Sequence, residues 1–186
     1  QRLIIPSRAN GTGVDTCVAT LSAGAPLRVV AVGLLEDISL ESVQRLATTT
    51  YAQVVDRLSL NDQRGAAARL DTILRIRPDL VILGGGTDGG ASQSVLNLLE
   101  SVGLACYRMP KEQRPEVLFV GNQSLVDEVD RAIGSLVHLV AAPNIRPSLE
   151  VEQLSAAQTQ LAQIYRSVKI RTVPGAHELD SWAGGR

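Results

Sequence analysis

Aromatic and chemically reactive side chains are scarce in this sequence. Phe, Trp and Tyr together make up 3% of the 186 residues, and the chain has 2 Cys, 2 His and 1 Met. Cys17 and Cys106 are far apart and fit neither a disulfide framework nor a metal-binding spacing. We therefore expect both to be reduced structural thiols. His138 lies in an apolar stretch and His177 in a tail, so no Ser-His-Asp or Cys-His pair can be assigned.

Neither a strong charge of one sign nor a long apolar segment is present. Lys and Arg number 18 against 19 Asp and Glu, which gives a net charge of −1. A protein without a basic field has little attraction for nucleic acid. No apolar run approaches the roughly 20 residues of a membrane-spanning helix. We therefore expect a cytoplasmic protein that binds neither nucleic acid nor membrane. Because the sequence opens on Gln1, without Met, we also expect it to be a piece of a larger protein.

The apolar residues follow the pattern of an α/β domain. Hydrophobic residues make up 45% of the chain, which is enough for a core of Leu, Val, Ile and Ala in one domain. Short apolar runs predict strands at 29–32, 53–55, 80–83, 117–120 and 137–141, and periodic stripes predict helices between them. Polar residues flank the run at 53–55, which is typical of an edge strand. This alternation predicts a doubly wound, mainly parallel five-stranded sheet with helices on both faces.

The sequence predicts three segments. Residues 1–26 form an N-terminal β segment, a hairpin or partial strands that turn at 10–13. Residues 27–148 form the α/β core, and residues 149–186 contain one more helix at 149–166 and a loose tail. Within the core, Ser39 is the expected N-cap of the first helix. Gly103 is the expected end of a helix that begins at Ser92 or Ser94, and 104–107 then form a strand or an extended link.

A glycine-rich turn, Gly84–Gly90, joins the most apolar predicted strand to a helix. Glycines at such a position let the backbone approach a ligand closely, and the following helix N-terminus attracts anions. The turn contains G-x-G-x-x-G. However, a dinucleotide-binding turn follows the first strand, and an acid stands at a strand end about 20 residues later. Here the turn follows the third strand, and the later segment is Tyr107-Arg108-Met109-Pro110. The sequence therefore favours a phosphate or another polar ligand over a dinucleotide.

The acidic residue of this turn, Asp88, has two interpretations. An acid inside a phosphate-binding loop repels the anion unless a cation lies between them, so Asp88 is a candidate ligand for the Mg²⁺ of a nucleotide, or an acceptor for a polar ligand. Alternatively, Asp88 accepts hydrogen bonds from backbone N–H groups of the turn and caps the following helix. The sequence leaves both interpretations open.

Other polar residues are expected at the same edge of the sheet. In a doubly wound sheet of order 2-1-3-4-5, ligands bind outside the carboxyl ends of the strands, at the switch point between the first and third strands. Glu36 and Asp37 then share the rim with the glycine turn. Arg146 either reaches an anion on this rim or forms a surface salt bridge, and the salt bridge is favoured. The predicted ligand-binding residues are Gly84, Gly85, Gly86, Thr87, Asp88, Gly89, Gly90, Asn122, Ser124 and Asn144.

The segment Leu83–Gly90 resembles the GGTDGG hallmark of the MutL proteins that are associated with glutamate mutase and are unrelated to the mismatch-repair protein of the same name. Three further segments are similar to that family and occur in the same order. Residues 22–35 match its small-residue turn and VAVGL strand, residues 78–81 its strand entry, and residues 120–129 its GN-S and DEV segment. The resemblance covers most of residues 22–165.

This resemblance implies an ATPase of the actin/Hsp70-like class that serves adenosylcobalamin-dependent mutases as an accessory or reactivating protein. The nucleotide fold of that class begins with a D-x-G-[ST]-x-T phosphate loop, which does not occur in this sequence. The portion that contacts adenosine is also expected to lie elsewhere. We therefore expect no ATP hydrolysis by this chain alone. The implied cofactors of the full-length protein are ATP and Mg²⁺, and the implied partners are a mutase and the remainder of its own chain.

The first hypothesis is therefore an internal domain of a MutL-like accessory protein that acts by binding a ligand or partner. An alternative is a stand-alone α/β enzyme that uses a nucleotide or a phosphometabolite at the same rim, where carboxylates are the candidate bases. A further alternative is a purely structural interaction domain that docks onto other parts of the protein.

Overall fold

A computed structural model gives the fold and describes residues 4–16, 18 and 24–182. These residues divide into two compact units. The larger unit consists of residues 26–165, and the smaller unit combines residues 1–25 with residues 166–186. The larger unit contains every residue that the sequence predicts for the site.

Parallel strands form one sheet in the larger unit. Among the described residues there are five, in the order β2-β1-β3-β4-β5, which confirms the predicted α/β fold and the edge position of the second strand. The strands are β1 Leu27–Val32, β2 Ala52–Leu58, β3 Leu80–Leu83, β4 Glu116–Phe119 and β5 Leu139–Ala141. The register aligns Val32 with Leu83 and Leu83 with Phe119. The carboxyl ends of the three central strands therefore lie level at one edge.

Helices connect the strands and cover both faces of the sheet. Crossovers between parallel strands are right-handed as a rule. The crossover from β1 to β2 runs along the sheet in one direction and the later crossovers run in the other, so the first helix lies on one face and the next three lie on the opposite face. The helices are α1 Glu41–Ala47, α2 Ala66–Ile76, α3 Ser92–Arg108, α4 Val126–Ile133, α5 Ser155–Thr172 and α6 Ala176–Trp182. None of the helices within the described ranges has the length and apolar character needed to cross a bilayer.

The core of the larger unit is built from aliphatic side chains on both faces of the sheet. On the face covered by α2, α3 and α4, Val30 and Phe119 belong to a buried cluster with Ile73 and Val102. Residues at the alternate strand positions, such as Ile82, are fully buried as well. Burial on both faces is what a parallel sheet with helical layers requires, and it explains the continuous apolar runs of the sequence.

Helix α3 continues past Gly103, so the predicted end of this helix and the predicted strand or link at 104–107 are wrong. A Cβ atom at Gly103 would lie 2.9 Å from Cγ2 of Ile133 on α4. The glycine therefore allows close packing of α3 and α4 and does not end the helix. The helix ends at Met109, whose backbone is extended, as is favoured for a residue before proline.

The first helix also begins differently from the prediction. A π-helical turn, Glu36–Leu40, precedes α1, and Ser39 lies inside this turn, not at the N-cap. The Ser39 hydroxyl accepts the N–H of Leu35 at 3.0 Å and lies 3.2 Å from the Leu35 carbonyl oxygen, to which it donates. Gly33 permits the tight return, because a Cβ there would lie 2.6 Å from the Leu40 nitrogen.

The smaller unit begins with a loop that reverses direction at the predicted turn. Val14 donates its N–H to the Ile4 carbonyl at 3.0 Å across this loop, and Gly11 has a positive φ of 79°. None of the described residues up to Thr16 belongs to a regular strand, and residues 17 and 19–23 lie outside the described residues. At the other end of the chain, α5 begins later than predicted. The tail predicted to be loose contains α6, on which His177 is exposed.

Candidate functional site: the glycine loop

The glycine turn lies at the switch point of the sheet. The order β2-β1-β3 places the loops after β1 and β3 side by side at the carboxyl edge, where doubly wound proteins bind ligands. The Gly84 N–H donates to the Val32 carbonyl at 2.9 Å and extends the β1–β3 ladder into the turn. A Cβ at Gly85 would lie 2.7 Å from Cγ of Leu34, so the two loops are in contact. We term residues 84–90 the glycine loop.

The glycines of this loop are required by backbone conformation and by space. Gly85, Gly86 and Gly89 have φ values of 131°, 72° and 73°, which side chains strongly disfavour. At Gly84 a Cβ would lie 2.7 Å from Cγ2 of Val43 on α1. Gly84 and Gly85 are buried, whereas Gly89 is exposed. The loop therefore combines a packed base with a tip that reaches solvent.

Asn122 holds the outer half of the glycine loop from the end of β4. The residue is fully buried. Its Oδ1 accepts the N–H of Gly89 at 3.1 Å, and also the N–H and hydroxyl of Ser124 at 3.1 and 2.8 Å. Its Nδ2 donates to the Gly90 carbonyl at 3.3 Å. The amide of Asn122 is therefore used within the protein, and its contacts shape the loop.

Asp88, at the tip of the glycine loop, is tied to two neighbouring segments. Its N–H donates to the Pro147 carbonyl at 3.1 Å. Its Oδ1 accepts the N–H of Gln123 at 3.1 Å and Nδ2 of Asn144 at 2.9 Å. The N-cap residue of α3 is Ala91, without a side-chain capping bond. The interpretation of Asp88 as the cap of that helix is therefore wrong.

Residues 142–153, which we term the strap, run from β5 along the carboxyl edge to α1. Nδ2 of Asn144 donates to the Gly86 carbonyl at 3.0 Å. Two residues further, Nε of Arg146 donates to Oγ of Ser42 on α1 at 2.8 Å. Asn144 is buried, with 3% of its surface exposed. The predicted site residues Asn122 and Asn144 thus hold the glycine loop from two sides.

Ionic contacts fix the far end of the strap to α1. Nη1 of Arg146 donates to the Leu149 carbonyl at 3.0 Å, and its Nη2 lies 3.7 Å from Oε1 of Glu152. Arg45 on α1 donates to the same Oε1 through Nε and Nη2 at 3.1 and 2.8 Å. The hydrogen bond from Arg45 holds the pKa of Glu152 below its ordinary value, against the opposing effect of burial. Arg146 thus forms the salt bridge expected from the sequence.

The acidic residues predicted on the β1 side of the rim have different surroundings. Oε1 of Glu36 lies 3.5 Å from Oγ of Ser59, in the loop after β2. Asp37 is exposed on the π-helical turn. The hydrogen bond at Glu36 thus leads towards β2, and those of Asp88 lead towards β4 and the strap. The structure does not join these acids into one cluster.

The loop after β2 contains a partly buried ionic cluster that was not predicted from the sequence. Asp62 accepts the N–H groups of Ser59 and Arg64 at 3.1 and 3.0 Å and Nε of Arg64 at 2.8 Å. Nη2 of Arg69 lies 3.5 Å from Oδ1 of the same carboxylate. Burial acts to raise the pKa of Asp62, but the hydrogen bonds from Ser59 and Arg64 outweigh it and hold this pKa below its ordinary value.

The described residues around the glycine loop do not pair a nucleophile with a base. Cys106 is buried in α3, and burial raises the pKa of its thiol to about 11, which makes it unreactive; Cys17 lies outside the described residues. His138 contacts the carboxylate of Glu116 at the amino end of β4, away from the glycine loop. No group of three or more His, Cys, Asp or Glu side chains in the described ranges is arranged to hold a metal ion. Asp88 as a metal ligand stays a prediction.

Two residues that fix the strap were not predicted from the sequence. They are Pro147, whose carbonyl accepts the N–H of Asp88, and Ser42 on α1, whose hydroxyl accepts Nε of Arg146. One signal was present: Pro143 and Pro147 follow the last strand closely, and proline excludes a direct return into a helix or strand. The spacing of these prolines predicts an irregular segment after β5, but it does not predict the path of that segment across the edge of the sheet.

A parallel sheet of order 2-1-3-4-5 with a glycine loop at its switch point defines a doubly wound α/β protein of the flavodoxin-like topology. The loop of this chain reads Gly-Gly-Thr-Asp-Gly-Gly. The chain belongs to the MutL family, because the family model described as MutL protein matches residues 4–186. It is similar to Protein MutL of Clostridium tetanomorphum, with 23% identity over 169 residues that cover 90% of this chain and 34% of the relative. The chain thus spans about a third of the length of that relative.

Proposed function

We propose that this chain is a binding domain of a MutL-type accessory protein that reactivates an adenosylcobalamin-dependent mutase. Membership of the MutL family supports the proposal. The observation that carries it is the construction of the glycine loop, whose base is packed while Asp88 and Gly89 at its tip are exposed. A loop that is already ordered loses little conformational entropy when it captures a partner.

The chemistry of this edge favours binding over catalysis. The described groups near the loop tip are amides, hydroxyls and one carboxylate, and Oδ1 of that carboxylate already accepts two hydrogen bonds. General base catalysis also needs a nucleophile within hydrogen-bond reach of the base, and no described side chain near the loop tip pairs a nucleophile with this carboxylate. Asp88 and its neighbours therefore suit recognition of a polar surface or ligand, with bond-breaking steps left to the partner mutase.

For a small ligand we propose a magnesium nucleotide, bound by the full-length protein with this loop at one side of the site. The backbone N–H groups of Gly86 and Thr87 donate to no acceptor among the described residues, and such groups bind phosphate oxygens well. Oδ2 of Asp88 accepts no hydrogen bond from the described part of the chain. A carboxylate oxygen of this kind suits Mg²⁺, which keeps several waters when a protein binds it.

Sedimentation velocity of the chain mixed with its cognate adenosylcobalamin-dependent mutase tests the partner. We expect a complex with the native chain and at least tenfold weaker association with Asp88→Ala. The matched control is Asp71→Ala, which removes an exposed carboxylate from α2 and leaves association unchanged. If all three chains associate equally, the glycine loop is not the binding surface. If none associates, the proposed partner is wrong.

Calorimetric titration with Mg-ATP, Mg-ADP and cobalamin tests the ligand. We expect heat of binding for the magnesium nucleotides with the full-length protein, and a loss of that heat with Asp88→Ala. Turnover of ATP by the present chain alone would contradict the assignment of a binding role to this domain and would favour a stand-alone enzyme.

A further inference from the structure

We infer that Asp88 is the latch between the glycine loop and the strap, so that movement of the loop tip and release of the strap are one event. The inference rests on the proposed function only for the purpose of the latch. A latch of this kind would let binding at the loop tip loosen the strap, which leads into α5. The test below uses the free chain, so the latch and the proposed function can fail separately.

Asp88 holds the strap through both its backbone and its side chain. Its N–H donates to the Pro147 carbonyl at 3.1 Å, and its Oδ1 accepts Nδ2 of Asn144 at 2.9 Å. Oδ1 of Asn144 in turn accepts the N–H of Arg146 at 2.9 Å. Because the last two bonds share the Asn144 side chain, displacement of the Asp88 carboxylate also loosens the part of the strap that leads to Arg146.

The far half of the strap, which contains Leu149 and Val151, depends on polar contacts, because burial of its apolar side chains contributes little to its stability. Leu149 and Val151 are 60% and 41% exposed. This half is held by Arg146, which bonds Ser42 and the Leu149 carbonyl, and by the contacts of Glu152 with the two arginines. Segments with few buried apolar contacts and exposed hydrogen bonds open locally at low free-energy cost.

The glycine loop is built so that Asp88 can move while Gly89 and Gly90 stay fixed. Gly86 and Gly89, on either side of Thr87 and Asp88, have positive φ values of 72° and 73°, and glycine changes its backbone angles at little steric cost. Asn122 holds Gly89 and Gly90 from the β4 side, and its side chain forms no hydrogen bond with the described residues of the strap. A ligand or partner that takes the Asp88 carboxylate would therefore weaken the hold of the glycine loop on the strap, which leads into α5 at Ser155.

Amide hydrogen exchange of single residues, followed by NMR, tests the latch from both sides. Arg146→Ala removes the bond between the strap and Ser42 on α1 and changes no residue of the glycine loop. We expect the exchange of the Asp88 N–H to rise about tenfold in this variant, which corresponds to about 1.4 kcal/mol. The Gly89 N–H, which donates to Asn122, should exchange at its native rate. In the converse experiment, Asp88→Ala should raise the exchange of the Arg146 and Gln153 N–H groups, which donate to Asn144 and Ile145.

Arg131→Ala serves as the matched control, because within the described part of the chain this exposed arginine bonds to its own helix, at the Asp127 carbonyl. It should leave all these rates unchanged. Exchange at Val81 and Val117 in the core strands reports global stability and should also stay native, which excludes general unfolding as the cause. If Arg146→Ala accelerates exchange only within 142–153, or if Asp88→Ala leaves the strap unaffected, the two segments move independently and the inference is wrong.

Discussion

Replacement of Asn122 by Ala should lower the free energy of unfolding by more than the loss of one hydrogen bond, because the Asn122 amide forms several. Oδ1 of Asn122 accepts the N–H groups of Gly89 and Ser124, and Nδ2 donates to the Gly90 carbonyl. Each such bond contributes about 1 kcal/mol net, so the three contacts with backbone groups together contribute about 3 kcal/mol. The residue is fully buried, so the backbone groups that Asn122→Ala leaves without a partner are shielded from bulk solvent.

Equilibrium unfolding in guanidinium chloride, followed by circular dichroism, measures this loss. We expect the midpoint to fall at an unchanged denaturant slope, because the surface exposed on unfolding stays nearly the same. In a thermal scan, about 3 kcal/mol corresponds to a decrease of about 6–12 °C in Tm for a chain of this size.

Asn97→Ala is the matched control for this experiment. Asn97 is exposed on α3 and accepts one hydrogen bond, from Gln93 at 3.1 Å. Its replacement should change the free energy of unfolding by less than about 0.5 kcal/mol. A loss below about 1 kcal/mol for Asn122→Ala, or equal losses for the two variants, would refute the view that the buried amide holds the glycine loop.

Further predictions concern the loop glycines, the Asp62 cluster and the buried thiol. Gly85→Ala should cost about 2–4 kcal/mol in thermal denaturation, because it combines a φ of 131° with a Cβ 2.7 Å from Cγ of Leu34. Gly89→Ala should cost only about 1–2 kcal/mol, because its φ is 73° but nothing lies within 4 Å of the added Cβ; equal losses would contradict the steric argument. Because the folded-state pKa of Asp62 is lowered, its contribution to stability is present above the unfolded value of about 3.9 and is lost as the pH falls through the lowered pKa. In Asp62→Asn the free energy of unfolding should therefore be lower at pH 7 and fall less steeply below pH 4, and a slope equal to that of the native chain would count against the assignment. In Cys17→Ser chains, Cys106 should react with a thiol reagent at pH 8 only after denaturation, since its thiol has a pKa of about 11; rapid labelling of the folded chain would show that it is accessible.

The sheet could be predicted from the sequence because its strands are short, apolar and separated by helical stripes. The predicted third strand coincides with β3, Leu80–Leu83, since all four residues are buried and glycine follows at once. Helix ends were less predictable. Gly103 is a common type of helix end, yet here it lies within α3 because Ile133 packs against it. That contact involves a different helix, and no local pattern in the sequence reveals it.

The position of the candidate site followed from the sequence, but the roles of its residues did not. Glycine after a buried strand and the strand order together place the loop at the switch point. Asn122 and Asn144 were predicted to bind a ligand, and the structure shows their amides bonded to the glycine loop. Polar residues that bind a ligand and polar residues that support a loop look alike in a sequence. Their hydrogen bonds to the glycine loop depend on the packing of three separate loops, and ligand binding by Asn122 and Asn144 stays a prediction.

The most direct test of the central claim is the recovery of an inactivated mutase. The full-length protein is added with ATP and Mg²⁺ to a cognate adenosylcobalamin-dependent mutase that has lost activity during turnover, and the restored activity is measured. We predict recovery with the native protein and with Asp71→Ala, and little or no recovery with Asp88→Ala at equal folded concentration. Failure of the native protein to restore activity, or full recovery with Asp88→Ala, would contradict the proposed function of the glycine loop.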